Sequence, residues 1–128
     1  MAQPTARVTV LAVDDQPVFL QAARALVDAT PGFEHVGQAR SGSEALALAA
    51  ALKPDLVLLD LRMPGMDGTE TARRLHDVAP DAVVVLVSLG ELPDTAAAPG
   101  ISAALHKKAL STRTLRSVWA AHGRPRSG

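Results

Sequence analysis

The chain has 128 residues, thirteen basic and thirteen acidic side chains, and no cysteine. One domain's worth of core is implied; thiol nucleophiles, disulfides and Cys-ligated zinc are excluded, and zero net charge argues against a uniformly basic nucleic-acid binder. Phe19, Phe33 and Trp119 are too few aromatics for a base-stacking platform, and no apolar run reaches the roughly 18 residues of a membrane span, so a soluble, cytoplasmic domain is expected. In chain order, residues 8–13 (VTVLAV) are continuously apolar and rich in β-branched side chains, as a strand buried on both faces requires. Pro17 suits a first helical position, and Phe19, Ala22, Ala23, Leu26 and Val27 make one apolar stripe before Thr30-Pro31-Gly32 stops the helix. Residues 34–39 read as a short, polar-mixed strand. Ser41 and Glu44 have capping-box spacing and open an Ala/Leu helix ending near Leu52. Residues 56–59 are a second apolar strand running into Asp60. Asp67 and Glu70 repeat the capping spacing before a helix with Ala72, Leu75 and Ala79 inward. Residues 82–87 form a third apolar strand and residues 102–106 a weaker one. Ser111 caps a last helix with Leu115, Val118 and Trp119 on its stripe, and residues 123–128 are expected to be a tail or the start of a linker.

Five strands alternating with helices predict an α/β fold, a parallel sheet covered on both faces. The three wholly apolar strands belong at its centre and the two mixed ones at its edges. With right-handed crossovers this gives a flavodoxin-like (βα)5 three-layer fold of strand order 2-1-3-4-5. Ligands bind such sheets beyond the carboxyl ends of the strands. There the sequence places Asp14-Asp15, Asp60, Ser88 and Lys107. Each alone has an ordinary reading: turn and cap acids, a loop serine, a solvated lysine. Together they are different. Converging carboxylates repel, and a hard divalent cation relieves that repulsion. A lysine and a hydroxyl at the same mouth suit phosphoryl oxygens, and one aspartate is then a candidate nucleophile.

The segments VDDQP (13–17) and PDLVLLDLRMPGMDG (54–68), with Ser88 and Lys107, resemble the receiver domain of two-component response regulators over about residues 7–122. They are most similar to the subfamily that usually carries a C-terminal helix-turn-helix. The resemblance implies a receiver at 1–122 in which Asp60 accepts phosphate from a sensor histidine kinase. It implies Mg²⁺ on Asp14, Asp15, Asp60 and the Arg62 backbone carbonyl, Lys107 on the phosphoryl oxygens, and Ser88 as the switch hydroxyl. It further implies a signalling domain rather than an enzyme, with transcriptional output through an effector domain absent from this chain, which itself binds no nucleic acid. One alternative is a pseudo-receiver that signals without phosphate. Another is a metal-dependent phosphohydrolase, but those enzymes typically place Asp-x-Asp after the first strand, and here the residues are Asp14-Asp15-Gln16.

Two departures bear on output. Ala104 stands where the family usually has Tyr or Phe in the fifth strand, so no ring follows the hydroxyl inward. Pro93 and Pro99 bracket three alanines, which predicts a short or irregular fourth helix. Any homodimer is therefore expected to use the fourth-helix, fifth-strand and fifth-helix face or an altered surface. The shortened segment also leaves Lys108 as an alternative to Lys107. His35, His76, His106 and His122 lack metal-ligand spacing and are expected at the surface or at strand ends. Net neutrality is a cancellation: residues 1–99 hold seven basic and thirteen acidic side chains, residues 100–128 six basic and none acidic.

Overall fold

Side chains along a strand alternate between faces, and here both faces are buried. The computed structural model describes residues 7–92 and 100–123. Its strands are β1 (Val8–Val13), β2 (Phe33–Ala39), β3 (Leu56–Asp60), β4 (Val83–Ser88) and β5 (Ala103–His106). All pair in parallel in the order β2-β1-β3-β4-β5, so the predicted topology and the predicted edges are those observed. Val8, Val10, Ala12, Leu56, Leu58, Val83, Val85 and Val87 enter the core on one face. Leu11, Val13, Val57, Leu59, Val84 and Leu86 enter it on the other.

Four α-helices are described: α1 (Pro17–Asp28), α2 (Gly42–Leu52), α3 (Gly68–Val78) and α4 (Thr112–His122). Helices α1 and α4 cover the first face, α2 and α3 the second. The predicted caps are present. Ser41 Oγ accepts from Glu44 N, Asp67 Oδ1 from Glu70 N, and Ser111 with Thr114 closes a capping box. The expected short fourth helix falls on residues 93–99, outside the described residues.

The stripe expected on α1 is corrected by one step. Leu20, Ala23 and Val27 are its buried residues, Phe19 and Leu26 are half-buried, and Ala22 is exposed. This helix carries two adjacent apolar strips, and only one faces the sheet. His35 is a second correction. It lies in the middle of β2, half-buried, with Nε2 enclosed and unpartnered. The pairing of β1 with β2 shifts register between Val10 and Leu11, where Val10 faces His35 and Leu11 faces Gly37.

Candidate functional site

The sheet's carboxyl edge gathers the predicted residues in one place. Asp14 follows β1 and is fully buried, Asp60 ends β3 at 6% exposure, and Ser88 ends β4 at 2%. Asp15 is half-buried. Ligand oxygens of Asp14, Asp15 and Asp60 all lie within 4.8 Å of one another. Three hard oxygen donors at that spacing fit a small divalent cation.

Lys107 supplies the counter-charge. It does not end β5 but opens a 3₁₀ turn (Lys107–Ala109) just after it. Its Nζ donates to Asp14 Oδ2 at 2.6 Å and lies 3.3 Å from Asp60 Oδ1. Lys108 is exposed, so the structure brings Lys107, not its neighbour, to the acids. The ammonium also stands 4.4 Å from the centroid of the Phe19 ring.

Electrostatics at the edge are uneven. Burial, and then the neighbouring Asp14 charge, push the Asp60 carboxyl above its ordinary pKa, with Lys107 opposing both. Burial also works against the Lys107 charge, but the Asp14 hydrogen bond and the Asp60 charge outweigh it and hold the ammonium above its usual value. One lysine serves two carboxylates and is drawn nearer to Asp14. Asp60 is left the less compensated.

Local sequence explains the placement. Asp14 Oδ1 accepts from Gln16 N, which turns the chain into α1. Leu61 and Met63, both buried, anchor the loop after Asp60, and Gly65 in the Pro64-Gly65 turn has φ +78°. Gly68 N donates to Leu61 O, and a Cβ at Gly68 would come within 2.4 Å of the Asp60 carbonyl. Only glycine lets α3 start so close to β3. Ser88 Oγ accepts from Gly90 N. Asp15, Asp60, Arg62, Ser88 and Lys107 line an open cleft of ≈ 360 Å³.

The family model described as the response regulator receiver domain matches residues 10–118. This chain belongs to the receiver family. Among curated proteins it is 38% identical to the nitrate/nitrite response regulator NarL of Escherichia coli K12 over 81 residues, 63% of this chain and 38% of that one. It is 42% identical to the response regulator GacA of Pseudomonas viridiflava over 84 residues, 66% of this chain and 39% of that one. The matched segment thus covers about two fifths of the length of each of these relatives. Among solved structures, a signal receiver domain from Mycobacterium tuberculosis (NarL) superposes at a TM-score of 0.82 with 31% identity, covering 93% of this chain and 98% of that one. CheY4 of Vibrio cholerae gives 0.77 with 25% identity, covering 91% and 99%.

Within this receiver Ala104 pairs with Leu86 and packs half-buried against the α2/α3 face. His76, His106 and His122 are exposed, as expected. Among the described residues no helix is long and apolar enough to cross a membrane. Sequence reasoning missed Phe19 as a neighbour of the site. The available signal was its place four residues after Asp15, on the first turns of a helix that starts at the mouth.

Proposed function

We propose that this receiver is a phosphoacceptor switch in which Asp60 takes a phosphoryl group from a sensor histidine kinase. The observation that supports it best is Lys107 Nζ, shared between Asp14 and Asp60 beside an open cleft. In this reading an Asp60 carboxylate oxygen attacks the phosphorus of a phosphohistidine. The O–P bond forms as the N–P bond breaks. Its electron pair stays on the ring nitrogen, and with a proton on the other nitrogen neutral imidazole leaves. Asp14, Asp15, Asp60 and the Arg62 carbonyl would hold magnesium, which would supply positive charge to the phosphoryl oxygens. Lys107 keeps Asp60 ionised for attack and then pairs with the transferred group. Ser88 exchanges its Gly90 partner for a phosphoryl oxygen, which moves the β4 end and carries the signal outward.

The chain turns over nothing beyond its own phosphorylation and dephosphorylation. Its relatives NarL and GacA are response regulators of which the match covers only 38% and 39%, which supports transcriptional output through a further domain. A cytoplasmic location follows from a kinase partner. A second reading, an interaction module that signals without phosphate, draws on Ala104, which supplies no ring to follow Ser88 inward. Intact-mass spectrometry after incubation with Mg²⁺ and acetyl phosphate separates the two. One acid-stable, base-labile phosphoryl adduct is expected, absent in Asp60→Asn; no adduct on the wild-type chain sinks the leading reading.

A further inference from the structure

We propose that Phe19 is a positioning residue for Lys107, its ring face holding the ammonium where both Asp14 and Asp60 are reached. The inference rests on the phosphoacceptor reading. A lysine ammonium is a point charge on a flexible four-carbon stem, and here its two acidic partners are unequal. Asp14 lies at 2.6 Å, is fully buried and is tied to Gln16 N; Asp60 lies at 3.3 Å. Those two contacts alone would draw Nζ to Asp14 and away from the acceptor.

The other side of Lys107 is apolar. Its side chain is only 10% exposed, and it lines both the acidic cleft and a groove of ≈ 550 Å³ against α1. Phe19, Ala22, Leu26 and Leu110 line that groove and not the cleft. The Phe19 ring therefore meets the ammonium from the groove side, 4.4 Å away, where water would otherwise solvate the charge and let it swing out. A ring face attracts a cation without fixing its direction. That suits an ammonium that must follow charge from a carboxylate onto a phosphoryl group. Core filling does not account for the ring: Leu20, Ala23 and Val27 seat α1 on the sheet, while Phe19 is half-buried at the edge of that cluster.

The test compares Phe19→Leu, which removes the ring, with Phe19→Tyr, which keeps it. Two readouts serve: the rate of phosphorylation by acetyl phosphate with Mg²⁺, and the NMR signal of the Lys107 ¹⁵Nζ ammonium. Phe19→Leu is expected to be about three- to tenfold slower and to lose the ring-current shift of Lys107, with Phe19→Tyr near wild type in both. An unchanged rate and signal in Phe19→Leu overturns the proposal. So does a Phe19→Tyr variant as slow as Phe19→Leu, because packing would then be the cause. Phe19→Met repeats the ring loss with a different shape if the leucine variant melts early. Failure of the phosphoacceptor reading looks different: the wild-type chain then takes up no phosphoryl group at all, and the proposal falls with it.

Discussion

An aspartate stands at each end of β3, and the two are treated in opposite ways. Asp55, just before the strand, is stitched to β1. Its Oδ2 accepts from Thr9 N and Thr9 Oγ1, and its own amide donates to Thr9 Oγ1 and the Thr9 carbonyl. Asp60, at the far end, has a shared lysine at 3.3 Å and a like charge close by. One end spends its carboxylate on holding two strands in register. The other keeps a carboxylate poorly compensated beside an open cleft, an arrangement that costs stability and is characteristic of functional sites.

The strongest way to break this contrast is Asp60→Asn. In the phosphoacceptor reading it is expected to abolish the phosphoryl adduct, yet it relieves a buried charge beside Asp14. Thermal unfolding is expected to rise by roughly 4 °C, the shift that about 1 kcal/mol gives a domain of this size. A lowered midpoint would show that Asp60 stabilises the fold after all.

Lys107→Met tests the same end from the cation's side. Two carboxylates would then share a buried mouth with nothing between them, and loss of one partner of a buried pair costs about 3–5 kcal/mol. Urea unfolding at pH 7.5 reads the loss. Millimolar Mg²⁺ should restore more stability to this variant than to wild type, because an ion held by the acid cluster would favour the folded state.

Asp55→Ala acts at the quiet end. Unpairing Thr9 is expected to cost about 1–3 kcal/mol, with the phosphorylation rate unchanged. A slower rate at unchanged stability would reverse the assignment of the two ends.

How far the sequence disclosed this division depends on distance along the chain. The three central strands were legible because burial on both faces forces an unbroken apolar run, and strand order followed from which runs were mixed. The places of Asp14, Asp15, Asp60 and Ser88 followed from strand ends alone, while their roles came from resemblance. What stayed hidden is set by tertiary contact. The sequence already points to Lys107 ahead of Lys108, and what it does not show is the 3₁₀ turn that encloses the first and leaves the second exposed. The contact of Phe19 with Lys107 joins residues far apart in the chain, and α1 concealed it by carrying two apolar strips that periodicity merges into one. His35 reads as a surface or strand-end histidine because its segment is polar-mixed, with Glu34 and Gln38 beside it, whereas its own surroundings are set by α1.

His35 gives the smallest expected effect, and it marks a cost outside both ends of β3. Burial pulls its pKa below 6.5, and Arg24 on α1 adds to this, against weaker opposition from Asp28 and the His35 backbone. The enclosed Nε2 has no acceptor to meet a second proton. The unfolded chain therefore binds that proton more readily than the folded one, and stability rises with pH while the two differ. The contribution of neutral His35 is complete above pH 6.5 and is lost as the pH falls from there through the lower folded value. Urea midpoints at pH 7.5 and 5.5 should consequently fall further for wild type than for His35→Leu, in which that linkage is gone. Other groups titrate in both proteins alike, so the difference between the two falls isolates His35. Equal falls would mean that β2 lets water in to the imidazole, and that the strand edge is looser than its packing against α1 indicates.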